Sequence, residues 1–260
     1  MSTSEAQFAA DGPIACLTFN RPQARNAMTW AMYDALAEAC ARVEADDSIR
    51  VLVLRAVGDA FIAGTDIGQF TTFASGDDGI AYEQRMEAVI GRLERLPIPT
   101  IAQVHGVAAG GGCVIALVCD LRVCTPAARF GVPIARTLGN CLSAANHARL
   151  IDLIGPARTK DLMYTGRLID VTEAQSLGLV TRIAEPEAIE AAVQDLARTI
   201  ASHAPLTLRI TKTALQRIAE HRRLPPGADE DLISLCYASR DFREGVQSFL
   251  AKRSPRFKGQ

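Results

Sequence analysis

Apolar positions in the first half of the chain alternate between short continuous runs and three- and four-residue spacings, which predicts strands alternating with helices. The run Ile14-Ala15-Cys16-Leu17-Thr18-Phe19, closed by Asn20-Arg21-Pro22, reads as a strand entering a turn. Met32, Ala35, Leu36, Ala39 and Val43 then recur at helical spacing behind Thr29, a capping residue, predicting a helix over 29–46. Val51-Leu52-Val53-Leu54 is continuously apolar, as a strand covered on both faces would be. A glycine-bearing loop over 58–79 follows. The next helix, over 80–96, carries Met86, Val89, Ile90 and Leu93 on one side and is ended by Pro97 and Pro99. Strands at 100–104 and 121–124 flank Gly106, the run Gly110-Gly111-Gly112 and a short apolar helix ending near Val118. This order predicts an α/β core with crossover connections.

From about residue 144 the pattern is helical almost throughout. Thr172 and Gln175 have the spacing of a capping box and Gly178 the place of a C-terminal glycine. Further helices are expected over 186–201, 205–222, 228–238 and 242–252. The chain thus divides into an α/β core over 1–200 and a helical C-terminal region over 201–260. Leu206, Ile210, Leu215 and Ile218 form an apolar face that a lone chain would struggle to bury, so an oligomer is expected. No internal repeat and no low-complexity segment is visible.

Composition narrows the function. With 260 residues, the chain is long enough for a sizeable core. Its 28 Lys+Arg against 29 Asp+Glu leave a formal charge of -1, so no basic field exists to attract nucleic acid or an anionic membrane. Seven cysteines without a C-x-x-C spacing argue for reduced, mostly buried thiols in a cytoplasmic protein rather than a disulfide or zinc framework. The apolar stretch 98–118 contains Gln103, His105 and the triple glycine and reads as core, not as a membrane span. Four scattered histidines give a metal site little support.

Two segments carry the chemistry. Phe61-Ile62-Ala63-Gly64-Thr65-Asp66-Ile67 and His105-Gly106-Val107-Ala108-Ala109-Gly110-Gly111-Gly112-Cys113 each follow a predicted strand. Glycine lets a ligand approach the backbone, and the first N–H groups of a helix point outward with positive partial charge. The triple glycine is therefore either an anion or oxyanion cradle or a device for tight helix packing. The glycines do not match the dinucleotide or phosphate-loop fingerprints.

With these segments on the page, a resemblance emerges. Asn20-Arg21-Pro22, Asn26-Ala27-Met28, Ala63-Gly64-Thr65-Asp66-Ile67, Gly106, Gly110-Gly111-Gly112-Cys113, Cys119-Asp120, Phe130-Gly131-Val132-Pro133, Thr165-Gly166-Arg167, Ala174, Gly178-Leu179-Val180 and Phe257-Lys258 resemble the crotonase (enoyl-CoA hydratase/isomerase) superfamily, in order and over nearly the whole chain. The resemblance implies a repeated ββα spiral with a C-terminal helical trimerisation region, assembled as a homotrimer or a dimer of trimers. It implies an acyl-CoA thioester substrate, with coenzyme A present as part of that thioester and no permanently bound cofactor. The backbone N–H groups of Thr65 and Gly111 would form an oxyanion hole. Arg25 and Ala27, with Ala63, Asp66 and Ile67, would flank the CoA moiety, and Phe257 and Lys258 would approach the CoA of a neighbouring subunit.

The sequence departs from the hydratase pattern at two positions. One hydratase glutamate directly follows Gly-Gly-Gly-Cys, where this chain has Val114. The other follows Phe-Gly-x-Pro, where it has Ile134, or Ala135 if a one-residue slip is placed earlier. Hydration needs a base for water and an acid for the α-carbon, and neither valine nor isoleucine supplies one. The dienoyl-CoA isomerase aspartate best matches Ser143. Other polar groups are candidates. Arg136 either neutralises an acidic acyl group or pairs with a surface acid, and Asn140 either donates to a substrate oxygen or caps the next helix. Glu83, four residues from Glu87, is either a buried acid/base or part of a solvated face with Arg85. Ser143 and His147 share a helix face but lack an orienting third group. Two functions remain open: enzymatic chemistry through a thioester enolate, or a non-catalytic CoA-binding or assembly subunit.

Overall fold

The computed structural model describes residues 5–260. The elements in chain order are β1 (Ala6–Asp11), β2 (Ile14–Phe19), α1 (Trp30–Ala45), β3 (Val51–Ala56), α2 (Gly76–Glu94), β4 (Thr100–Val104), β5 (Val107–Ala109), α3 (Gly111–Val118), β6 (Leu121–Cys124), β7 (Arg129–Gly131), α4 (Ile134–Thr137), α5 (Ala144–Thr165), β8 (Ile169–Asp170), α6 (Val171–Ser176), β9 (Arg182–Ile183), α7 (Ile189–Ser202), α8 (Pro205–Glu220), α9 (Glu230–Tyr237) and α10 (Arg240–Leu250). A six-stranded sheet has the order β1-β2-β3-β4-β6-β9, and a three-stranded sheet has the order β5-β7-β8. The β1–β2 pair is antiparallel, and every other pair in the large sheet is parallel.

The uninterrupted apolar run of β3 has the cause expected of it. Leu52 and Leu54 join the main core with α1, α2 and α3, while Val51 and Val53 join a second cluster with Val193, Leu196, Ala197 and Ile200 of α7. Successive side chains point to opposite faces, and both faces are covered. The segments β4–β5–α3 and β6–β7–α4 are successive strand–strand–helix units. The first strand of each lies in the large sheet and the second in the small one. This is the repeated ββα pattern. It escapes detection in the sequence because the units share geometry without sharing residues.

Helix boundaries were largely legible, with four differences. Helix α2 starts at Gly76 rather than 80, because Ser75 and Asp78 form a reciprocal capping box. The loop before it contains a 3-10 helix, Ile67–Thr72. The expected Thr172/Gln175 capping box is not formed: Asp170 caps α6 by accepting from the Glu173 N–H at 2.9 Å, two residues earlier than the sequence suggested. The helical stretch from 144 is broken at Gly155, whose φ of 75° precedes Pro156.

The C-terminal helices fold back onto the core. Ile233 and Tyr237 of α9 and Phe242 and Val246 of α10 form one cluster with Ile67, Phe70 and Leu138. Two glycines let α9 approach α2 closely, since a Cβ at Gly76 would lie 2.1 Å from the Ser234 hydroxyl and one at Gly79 2.3 Å from the Tyr237 ring. Helix α8 keeps its apolar residues outside: Leu206, Ile210, Leu215 and Ile218 are 58–63% exposed. No helix among the described residues is long and apolar enough to cross a membrane.

Candidate active site

Both glycine-containing segments converge on one cavity of about 720 Å³. Their mutual position is set by backbone pairing. Ile62 bridges Ala108, with the Ile62 N–H donating to Val107 O at 3.2 Å and the Ala109 N–H donating to Ile62 O at 3.0 Å. The following loop pairs with the N-terminal turn: Met28 N–H donates to Gly64 O and Asp66 N–H to Met28 O, at 2.8 and 2.9 Å. In such a parallel bridge the N–H of the bridging residue, Thr65, points away from its partner. The Gly111 N–H is the first of α3 and has no intrahelical acceptor. Neither amide meets an acceptor among the described residues, and both residues line the cavity. The triple glycine has a steric reason as well. Gly110 sits at φ 52°, and a Cβ at Gly112 would lie 2.2 Å from Ile62 O.

The N-terminal turn forms the rim. Asn26 is fully buried and donates to Val57 O and Ala60 O at 2.8 Å each, holding the turn to the segment before the glycine loop. Arg25 and Ala27 therefore lie beside Ala63, Asp66 and Ile67, and all five line the cavity. Asp66 also caps the 3-10 helix through Gly68 N–H at 3.0 Å and pairs with Arg21 at 2.7 Å.

Glu83 is the charged group brought deepest into this site. It lies on α2, is 5% exposed and lines the cavity. Its carboxylate accepts from the Tyr237 hydroxyl of α9 at 2.8 Å and from the Ser143 N–H. Burial pushes its pKa from 4.5 up to about 7, against the lowering effect of those two donors. Glu87, four residues on, turns away and pairs with Arg149 at 2.6 Å. Asn140 lines the cavity and donates to the Tyr237 hydroxyl at 3.3 Å. It does not cap the next helix; Ser143 does so by accepting from Asn146 N–H. His147 meets the Ser143 carbonyl, not its hydroxyl, so these two residues form no nucleophile–base pair.

Val114 and Ile134 are buried in the cavity wall and keep it apolar where they stand. Three candidates lie elsewhere in this chain. Arg136 is exposed, rests against Gly166 and forms no ion pair among the described residues, because α4 turns it outward. The Lys258 N–H donates to Asp241 at 2.7 Å, and the Phe257 ring packs near Gly139; neither lines the cavity of its own chain.

The chain and its fold have counterparts among known proteins. Residues 9–260 match the profile of the enoyl-CoA hydratase/isomerase family. The chain belongs to this family. Among its relatives, enoyl-CoA hydratase domain-containing protein 2, mitochondrial, of Homo sapiens is 36% identical over 265 residues, covering 96% of this chain and 87% of that one. The 1,2-epoxyphenylacetyl-CoA isomerase of Escherichia coli is 34% identical over 252 residues, covering 95% of each. Among solved structures, methylmalonyl-CoA decarboxylase complexed with 2S-carboxypropyl-CoA superposes with a TM-score of 0.90 at 26% identity, covering 100% of both chains.

Sequence reasoning missed the tyrosines of this family member. Tyr33, Tyr82 and Tyr237 come from three helices; Tyr33 and Tyr82 meet at the Thr65 hydroxyl while Tyr237 holds Glu83 and packs against the Tyr82 ring, which spacing along the chain cannot reveal. Phe249, near the end of α10, and Lys252, two residues beyond it, also reach the cavity. The signal available in the sequence was the polar tip on otherwise apolar helix faces: Tyr33 follows Met32, and Tyr237 ends α9.

Proposed function

We propose that the protein acts on an acyl-CoA thioester through an enolate held by an oxyanion hole made of the Thr65 and Gly111 amides, with Glu83 as the proton-transfer group. The observation that carries this reading is the meeting, in one cavity, of two acceptor-free amides and a buried carboxyl whose pKa is raised to about 7. Negative charge forming on the thioester oxygen is stabilised by fixed donors in a site that excludes water, and one such donor contributes roughly 3 kcal/mol. A carboxyl poised near neutrality takes the α-proton as a base and returns it as an acid. The apolar Val114 and Ile134 speak against the two-glutamate hydration route and for isomerisation, hydrolysis or C–C bond chemistry.

The experiment is α-proton exchange of butyryl-CoA into D2O, followed by NMR. The protein is expected to catalyse it, and Gly111→Pro, which removes one donor, is expected to abolish it. Exchange by the variant at the parent rate refutes the oxyanion assignment. The apolar wall also favours a second reading, a CoA-binding or assembly subunit without turnover. Binding of a panel of acyl-CoA thioesters with neither exchange nor conversion would select it. The exposed face of α8 supports assembly as a homotrimer or dimer of trimers, in which Phe257 and Lys258 would reach a neighbour's CoA.

A further inference from the structure

The Thr65 side chain belongs to a cluster of three hydroxyls beside the two amides. Its Oγ1 lies 2.8 Å from the Tyr33 Oη and 2.9 Å from the Tyr82 Oη. The cluster leans on both glycine loops, since a Cβ at Gly111 would sit 2.8 Å from the Tyr33 Oη and 3.4 Å from the Thr65 Oγ1. Three hydroxyls carry three protons, and the two contacts use two of them. Tyr33 is fully buried and meets no acceptor among the described residues outside this cluster. Both phenols line the cavity, but Tyr82 is partly exposed there while Tyr33 is not. The arrangement that leaves no buried proton stranded therefore runs from Tyr33 to Thr65 to Tyr82, with the Tyr82 proton left over at the cavity end. Within the cluster the other acceptor open to that proton is the Tyr33 oxygen. An oxyanion is a stronger acceptor than a neutral phenol and draws it away. Burial drives both phenols above their usual range, so neither serves as a base and both remain donors.

We infer that Tyr82 is a further catalytic residue, the third hydrogen-bond donor to the thioester oxygen in the enolate, oriented by Thr65 Oγ1 and Tyr33. This rests on the acyl-CoA reading above. No bond is broken at Tyr82: its proton stays on the phenol and the hydrogen bond strengthens as charge builds on the oxygen. The Trp30, Phe70 and Phe73 rings packed around Tyr82 hold its position.

Tyr82→Phe keeps the ring and removes only the hydroxyl. Two readouts apply: the rate of butyryl-CoA α-proton exchange, and the red shift of the cinnamoyl-CoA absorption band on binding, which reports polarisation of the thioester carbonyl. Loss of one preorganised donor is expected to lower the exchange rate at saturation by about 10- to 100-fold with the KM within about threefold, and to shrink the red shift. Thr65→Val retains the ring, the amide and the side-chain shape, and is expected to give a smaller change in the same direction. This variant also serves if Tyr82→Phe does not fold. A parent red shift and exchange rate left unchanged by the folded variants overturn the assignment of Tyr82 alone. Binding without any red shift or exchange in the parent overturns the oxyanion reading, and this inference with it.

Discussion

Replacing Glu83 with glutamine removes the ionisable group while keeping its shape and its ability to accept from Tyr237 and Ser143. The folded-state pKa is raised from 4.5 to about 7. Between those values the folded protein holds a proton that the unfolded chain releases, so stability falls as pH rises through this window and levels off above it. At 1.36 kcal/mol per pKa unit the whole displacement amounts to about 3 kcal/mol, most of which develops between pH 5 and pH 8. Glu83→Gln carries no such penalty. Urea denaturation of both proteins at pH 5 and pH 8 isolates the effect, because contributions from all other titrating groups cancel in the difference. The variant is expected to gain about 2–3 kcal/mol on the parent over that interval, while α-proton exchange falls by about 10²- to 10⁴-fold. A difference independent of pH, together with retained exchange, refutes the claim that this carboxyl is buried near neutrality and moves protons.

Further outcomes follow from neighbouring contacts. Tyr237→Phe removes a hydroxyl that lowers the Glu83 pKa, so the acid limb of the pH–rate profile is expected to move to higher pH; an unmoved limb contradicts the 2.8 Å contact as a determinant. Gly112→Ala places a Cβ 2.2 Å from Ile62 O and is expected to cost about 1–3 kcal/mol in thermal or urea unfolding, since no flexible side-chain end is available to yield. Introducing carboxylates with the double substitution Val114→Glu and Ile134→Glu is expected to confer hydration of crotonyl-CoA, monitored by loss of the enoyl absorbance, if the apolar wall alone excludes that route. Ile210→Glu combined with Leu215→Glu is expected to lower the mass in light scattering, because both residues lie on the exposed apolar face of α8.

Local pattern was enough to read much of this molecule. The apolar run 51–54, the cap at Thr29 and the glycine triplet obey constraints that act within a few residues, and each produced the expected strand, helix or turn. The meeting of the two loops was expected only through the family resemblance, because the bridges that pair them, Met28 with Thr65 and Ile62 with Ala108, join residues 37 and 46 positions apart. The outward turn of Arg136, the inward turn of Glu83 and the divergence of Glu87 were not legible. Those depend on where α4, α2 and α9 come to rest, and a side chain's solvation is a property of its surroundings rather than of its neighbours in the chain. Tyr33, Tyr82 and Tyr237 make the point most sharply. They are separated by 49 and 155 positions in the sequence, and only the close approach allowed by Gly76 and Gly79 brings the last of them to the carboxyl whose proton affinity it tunes.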